Sequence, residues 1–182
     1  MKFRRTSLAG VIVIEPDVHR DARGFFLESY HEEKYRDAGI TGPFVQDNHS
    51  SSKRRTLRGL HAQLAPSQGK LVRVVRGEVL DVAVDVRVGS PTFGQHHAET
   101  LGADTHRQLW IPEGFLHGFL VLSDEAEVEY KVTSPYSPSG EIAVAWNDPE
   151  LAIPWPESDP IVSERDASAP PLSSLRDRLP SY

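Results

Sequence analysis

A regular series of short strand patterns, separated by turn residues, is the feature that most constrains the fold of this chain. From Val11 to Trp146, apolar and polar residues alternate in short runs that Gly, Pro and Ser residues interrupt. One helix is predicted over 31–38, where Gly39 ends it. About ten such runs with a single early helix predict an all-β sandwich or barrel. The predicted strands are 11–15, 24–30, 44–49, 57–63, 70–76, 78–87, 107–111, 115–122, 126–133 and 141–146.

The length of the chain predicts a single domain. Its 182 residues are enough to bury a core without disulfides or metals, so one unit over 1–182 is expected. The part after Trp146 is rich in proline. It is expected to wrap the barrel as irregular chain with a short helix, rather than to form a second domain.

Charge, hydropathy and cysteine content exclude several classes of function. A formal net charge of −6 argues against nucleic acid as the main partner. No apolar run is long enough to span a membrane, and the run 11–14 is too short for a signal peptide. There is no cysteine, so disulfides and thiolate metal sites are excluded, and a cytoplasmic location is expected.

His61 and Lys70 are the first candidates for catalysis. They lie nine residues apart, on two successive predicted strands. A histidine can remove a proton from a carbon next to a carbonyl, while a nearby cation stabilises the enolate that forms. The alternatives are a hydrogen-bonded strand histidine and a surface lysine.

Gly59 could change the direction in which the side chains next to it on the strand point. Strict alternation would place Arg58 and His61 on opposite faces of their strand. A glycine inside a strand favours a β-bulge, which could turn both side chains into one cavity.

Tyr130 and His117 are predicted to point into the barrel. Tyr130 shares a strand face with Val128 and Val132, and His117 shares one with Phe119. Tyr130 is therefore either a core tyrosine or a phenol that donates a proton from the side opposite the base.

The sequence disfavours a metal site. A metal-binding barrel of this kind would usually carry His-x-His with a carboxylate and a further histidine, but Gln63 follows His61 at the matching position. His96 and His97 are adjacent, so they point to opposite faces.

Seven stretches, in order, are similar to the dTDP-4-dehydrorhamnose 3,5-epimerase family of deoxysugar biosynthesis. The resemblance covers about residues 1–171. The stretches are DARGFFLES (21–29), FVQDNHS (44–50), LRGLH (57–61), QGKLVR (68–73), SPTFGQ (90–95), QLWIPEGF (108–115) and HGF (117–119).

This resemblance implies a cupin-type jelly roll that works as a homodimer without a metal or other cofactor. It makes His61 the base, Asp166 its partner, Tyr130 the proton donor and Lys70 the cation beside the sugar ketone. Composition alone gives no reason to single out Asp166. The positions that hold the nucleotide-sugar in the family are matched by Arg23, Glu28, Gln46, Asp47, Asn48, Arg58, His117, Glu141 and Arg165.

The implied reaction is epimerisation at C5 and C3 of a dTDP-4-keto-6-deoxyhexose, on the route to dTDP-rhamnose. Three departures from the family pattern, Ala62, His19 and Pro135, are expected to affect substrate fit. The alternatives are a mono-epimerase acting at C3 or C5 only, a related enzyme that moves the ketone, and a non-catalytic sugar-nucleotide binder. A metal-dependent cupin is disfavoured by Gln63.

Overall fold

The computed structural model describes residues 1–182 as two facing antiparallel β-sheets with a small separate hairpin. This is a jelly-roll arrangement, and the predicted all-β class is confirmed. The strands are β1 (Lys2–Arg5), β2 (Ile12–Glu15), β3 (Val18–Asp21), β4 (Gly24–Leu27), β5 (Gln46–Lys53), β6 (Leu57–Gln63), β7 (Lys70–Arg76), β8 (Glu78–Asp85), β9 (His96–Gly102), β10 (Gln108–Ile111), β11 (Phe115–Val121), β12 (Glu125–Val132) and β13 (Glu141–Ala143).

The two large sheets have different strand orders. The six-stranded sheet runs β1-β2-β10-β7-β12-β5, and the five-stranded sheet runs β13-β6-β11-β8-β9. Strands β3 and β4 pair only with each other. Sequence neighbours therefore often lie in opposite sheets, so β6 and β7 face each other across the interior.

Helical structure is sparse, as predicted. The predicted early helix is α1 (Glu32–Asp37), which buries Tyr35 against the outer side of the six-stranded sheet. The C-terminal segment, residues 147–182, contains the one-turn helix α2 (Glu164–Ala167) and a 3₁₀ helix over Leu172–Arg178. It is otherwise irregular, as expected. No helix is long and apolar enough to cross a membrane.

Three apolar clusters stabilise this arrangement. The largest lies between the sheets and includes Val13, Val72, Leu109 and Val128. A second joins the outer face of the five-stranded sheet to the C-terminal segment through Leu172 and other residues. Burying a side chain of this size contributes roughly 1.5–3 kcal/mol, so the C-terminal segment is held firmly to the sheet.

Strand β8 shows which of its two faces is the interior. Val82 and Val84 pack outward beneath the C-terminal segment, whereas Val79 and Ala83 pack between the sheets. Asp81 alternates with Val82, so this fully buried carboxylate points into the barrel. Both faces of β8 are therefore buried.

The structure adds strands to the predicted list and shortens several of the predicted ones. Strands β1, β3 and β9 were not predicted, and the strand predicted over 24–30 ends at Leu27. Strands β6 and β7 have the predicted limits.

Candidate active site

A cavity of about 640 Å³ lies between the two sheets. Ten of the thirteen residues predicted to form the site line it. They are His61, Lys70, Tyr130, Asp166, Gln46, Asn48, Arg58, His117, Glu141 and Arg165. A second cavity of about 230 Å³ lies on the outer side of the six-stranded sheet, where Asp47, Leu71 and Lys131 are among the residues that line it.

A β-bulge in β6 turns two polar side chains into this cavity. His61 pairs with His117 of β11, and Arg58 pairs with Phe119, so β6 has one extra residue between these points. Gly59 sits at the bulge with φ +129°, and a Cβ there would lie 2.5 Å from Gly118 Cα. Only glycine fits there, and the predicted bulge is confirmed.

His61 is bound to Asp166, which comes from the C-terminal segment. The Nε2–H of His61 donates to Asp166 Oδ1 at 2.6 Å, and Asp166 is only 3% exposed. Since the carboxylate can only accept, this bond leaves the Nδ1 lone pair of His61 free to take a proton. A carboxylate that holds a histidine in this way is typical of an activated general base.

Two local features fix the position of Asp166. Ile161 pairs with the start of β6, because Leu57 N–H donates to its carbonyl at 2.9 Å. Ser163 then caps α2 by accepting the N–H of Asp166 at 3.1 Å. Burial raises the pKa of Asp166, but hydrogen bonds from His61 and from the Gly59 N–H outweigh it and hold the pKa below its usual value.

Lys70 enters the cavity from the opposite sheet, at the start of β7. Removal from water lowers the pKa of its ammonium group to about 8, although the carboxylates of Glu141 and Asp81 oppose that shift. Lys70 is thus a cation that can lose its charge in mildly alkaline solution.

His117 has a buried partner that the sequence analysis did not identify. Its Nε2–H donates to Asp81 Oδ2 at 2.9 Å, and Asp81 is fully buried. The alternation in β8 placed Asp81 opposite Val82, but it could not show that the side carrying Asp81 faces the cavity.

Tyr130 faces the two histidines across the cavity. It lies on β12 in the six-stranded sheet, whereas His61 and His117 lie in the five-stranded sheet. Its ring packs against the core cluster between the sheets. Burial raises the pKa of its phenol, and the nearby Arg58 guanidinium reduces the shift. The phenol therefore keeps its proton at neutral pH.

The remaining cavity residues form a polar mouth. Gln46 donates to Asn48 at 2.8 Å, and Arg58 donates to Ser52 at 3.0 Å. Glu141 Oε2 pairs with Arg165 at 2.7 Å and also accepts the hydroxyl of Tyr136 at 3.1 Å. Two guanidinium groups, from Arg58 and Arg165, therefore border one cavity, which suits a phosphorylated ligand.

Three predicted binding residues do not line this cavity. Arg23 lies on the β3–β4 hairpin, pairs with Asp21 and has a side chain that is 89% exposed. Glu28 pairs with Lys34, and Asp47 pairs with Lys131 on the outer side of β5. Their predicted contacts with substrate stay predictions.

Two of the three departures from the family pattern also lie away from the cavity. Ala62 packs beneath the C-terminal segment in the outer core cluster, so the expected effect on substrate fit was wrong for this residue. His19 lies on the β3–β4 hairpin, and Pro135 directly precedes the cavity residue Tyr136.

Gln63, which disfavoured a metal site, has another role in the structure. Its carboxamide bonds Pro66, Ser134, Pro135 and Ser137. No group of three or more His, Cys, Asp or Glu side chains is arranged to hold a metal ion.

Comparison with known proteins identifies one family, by a family model and by individual relatives. The family model described as dTDP-4-dehydrorhamnose 3,5-epimerase matches residues 5–174. The enzyme of that name from Pseudomonas aeruginosa is 55% identical over 168 residues, which cover 91% of this chain and 93% of that protein.

Two solved structures illustrate the range of similar proteins. A dTDP-6-deoxy-D-glucose-3,5-epimerase from Legionella pneumophila, in complex with dTDP-4-keto-L-rhamnose, has a TM-score of 0.96 and 47% identity over 100% of this chain and 98% of that one. A 3′-monoepimerase from Streptomyces bikiniensis, in complex with dTDP-quinovose, has a TM-score of 0.91 and 38% identity over 97% of this chain and 92% of that one.

Proposed function

This chain belongs to the dTDP-4-dehydrorhamnose 3,5-epimerase family, and from that premise we propose that it inverts C3 and C5 of dTDP-4-keto-6-deoxy-D-glucose. The product is dTDP-4-keto-L-rhamnose, and the enzyme is an isomerase. The observation that carries the proposal is the cavity itself, where the His61–Asp166 pair faces Tyr130 with Lys70 beside them.

His61 acts as the general base. Its free Nδ1 takes the proton from C5, and in a second round from C3, both of which are next to the C4 ketone. Asp166 holds the ring in the required tautomer and stabilises the imidazolium that forms. The electron pair of the broken C–H bond moves to the C4 oxygen and gives an enolate.

Lys70 stabilises that enolate. Lys70 provides a positive charge at neutral pH, because its lowered pKa of about 8 still lies above 7. One donor aimed at a developing oxyanion is typically worth roughly 3–4 kcal/mol. Asp81 accepts from His117 Nε2 and so fixes that ring in the cavity wall.

Tyr130 completes each inversion. Its phenol gives its proton to the carbon from the face opposite His61, and the enolate electrons form the new C–H bond. The imidazolium then releases its proton and the phenolate takes one up, either directly between the two or through solvent, so each round ends with no net change in protons. Location on the opposite sheet supports this role.

The mouth of the cavity holds the nucleotide. Arg58 and Arg165 bind the diphosphate as bidentate donors, while Gln46 and Asn48 offer hydrogen bonds to the nucleoside. Glu141 positions Arg165.

The active form is a homodimer in which Arg23 and Glu28 contact the nucleotide held by the partner subunit. The support is that the β3–β4 hairpin pairs with neither large sheet and exposes two large apolar side chains, Phe25 at 56% and Phe26 at 73%. Exposed apolar residues beside an arginine suit contact with a second copy. Each subunit is one jelly-roll domain, and the cytoplasmic location stays a prediction.

The proposal is tested by incubating the protein with dTDP-4-keto-6-deoxy-D-glucose in heavy water and locating deuterium by NMR. Label at both C3 and C5 is expected, and the variant His61→Asn, which lacks the base, should incorporate none. Label at one carbon would make the chain a mono-epimerase, which is the activity named for the similar Streptomyces protein. No label with intact dTDP binding would leave a non-catalytic binder.

A further inference from the structure

Gln63 lies two residues after His61 on β6 and points to the same face of the strand. It is 3% exposed, so its carboxamide needs partners inside the protein. The catalytic scheme makes no use of it.

Two of the four groups bonded to Gln63 flank one cavity residue, and the other two are the carbonyl of Pro66 at 2.8 Å and the hydroxyl of Ser134 at 3.2 Å. Its Nε2–H group donates to the carbonyl of Pro135 at 3.1 Å, and its Oε1 accepts the N–H of Ser137 at 2.7 Å. These are the two peptide groups on either side of Tyr136. One side chain therefore holds both flanks of Tyr136, in the way that a neighbouring strand would.

Tyr136 needs an external support of this kind. It lies in the connection between β12 and β13, its side chain is 54% exposed, and it lines the cavity. Its own contacts are its N–H to Gln46 at 3.0 Å and its hydroxyl to Glu141 at 3.1 Å. The same Glu141 pairs with Arg165 in the mouth and also raises the pKa of Lys70, so Tyr136 stands between the nucleotide mouth and the catalytic groups.

We propose that Gln63 is a positioning residue that fixes Tyr136 as a wall against the bound sugar and so aligns both C3 and C5 with His61. The proposal rests on the proposed function. The base must reach two carbons on either side of the ketone, so the sugar ring needs a fixed surface against which both alignments are made. The carboxamide supplies both the donor for Pro135 and the acceptor for Ser137.

Two substitutions separate these contacts. Gln63→Met keeps the volume of the side chain but loses both hydrogen bonds, whereas Gln63→Glu keeps the acceptor and loses the donor. Gln63→Met is expected to lower kcat about tenfold, the effect of one to two buried hydrogen bonds, and to change the ratio of deuterium incorporated at C3 and C5. Gln63→Glu sets a carboxylate against the carbonyls of Pro66 and Pro135, so its kcat should fall at least as far as that of Gln63→Met, and dTDP affinity should change less than kcat in both.

Ser134→Ala is the matched control. It removes another Gln63 contact in the same connection, at 3.2 Å, but touches neither peptide group of Tyr136. Its C3 to C5 ratio should equal that of the unsubstituted enzyme. If Ser134→Ala and Gln63→Met changed the C3 to C5 ratio equally, Gln63 would only stabilise the connection between β12 and β13, and the proposal would be overturned.

Amide hydrogen exchange by NMR gives a readout that does not depend on activity. In the unsubstituted protein the Ser137 amide should be protected. Gln63→Met should lose that protection, and Gln63→Glu should keep it. If the unsubstituted enzyme labels neither carbon, the proposed function fails. If it labels both while the Gln63 variants match it in ratio and in Ser137 protection, only the role of Gln63 fails.

Discussion

His61 and Asp166 are separated by 105 residues along the chain, yet their side chains share a 2.6 Å hydrogen bond. One belongs to a strand in the middle of a sheet, and the other belongs to a one-turn helix in the C-terminal segment. The hydrogen bond between them therefore connects the five-stranded sheet to the C-terminal segment, which belongs to neither sheet.

Asp166→Asn should lower kcat by roughly 10²-fold or more, because an amide no longer favours the imidazolium and can hold the ring in the wrong tautomer. Affinity for dTDP should stay within about twofold of the unsubstituted protein. Steady-state kinetics and calorimetric titration with dTDP measure the two quantities. Parallel losses in turnover and affinity would contradict the role of Asp166 as the partner of the base.

Tyr130→Phe should separate proton removal from inversion. Without the phenol, His61 can still form the enolate, but the carbon is reprotonated from the side of the base. Epimer formation should fall by roughly 10²-fold or more, while deuterium exchange into the unchanged substrate falls much less. NMR of the recovered substrate and product tests this. If exchange and inversion fall together, Tyr130 has no separate donor role.

Lys70 should give an alkaline limit to the rate. A lysine is cationic below its pKa, so with a pKa of about 8 it loses its charge as the pH rises through 8, and kcat/KM should fall there. Lys70→Arg should move that limit to higher pH, although a bulkier cation will reduce the maximal rate. A pH–rate profile with the same limb in both proteins would assign the limb to another group.

The same lysine should reduce stability. Its pKa is lowered because folding removes its charge from water, so the charged form opposes folding. This cost begins to fall as the pH rises above about 8 and is gone only above the ordinary pKa of 10.5. Lys70→Met should therefore raise the melting temperature at pH 7 while abolishing turnover. Thermal unfolding at pH 7 and pH 9 measures the difference in melting temperature between the two proteins. That difference should be smaller at pH 9 than at pH 7.

Asp81→Asn tests whether the Asp81 carboxylate raises the pKa of Lys70. The carboxylate of Asp81 raises the pKa of Lys70 against the effect of burial, so its removal should move the alkaline limb below pH 8. The variant keeps a hydrogen-bond acceptor for His117 at the same position. The pH profile of kcat/KM is the measurement, and a limb that stays in place or moves upward would contradict this coupling.

Mixed dimers test the contribution of the hairpin. Arg23→Ala and His61→Asn should each be inactive or strongly impaired alone. In a heterodimer purified with two different tags, one site combines an intact His61 with the intact Arg23 of the other subunit, so about half of the normal activity should return. Absence of recovery would place Arg23 in the site of its own chain or outside both sites.

The strands that were predicted and those that were missed differ in burial. Strands β6 and β7 lie inside their sheets and carry clear apolar patterns, so their limits were correct. Strands β1 and β9 are edge strands whose sequences, KFRR and HHAETLG, are mostly polar. Such strands form because a neighbour supplies hydrogen bonds, and that neighbour is not visible in a local pattern.

The catalytic residues were also predictable only in part, because local sequence patterns do not show contacts between distant parts of the chain. The glycine in β6 indicated the bulge that turns Arg58 and His61 into one cavity, and alternation placed Tyr130 inside. The two buried carboxylates were harder to identify. Asp166 was chosen by resemblance alone, and Asp81 was not chosen, because each acquires its role from a contact between distant parts of the chain.

The origin of Asp166 has a consequence for how the protein matures on the ribosome. Both sheets are synthesised before residue 166 emerges, so the barrel can close around a histidine that still lacks its carboxylate. Proton abstraction would then switch on only when the C-terminal segment docks. An activity assay on stalled nascent chains would thus time that last docking step, which spectroscopic signals from the sheets alone would miss.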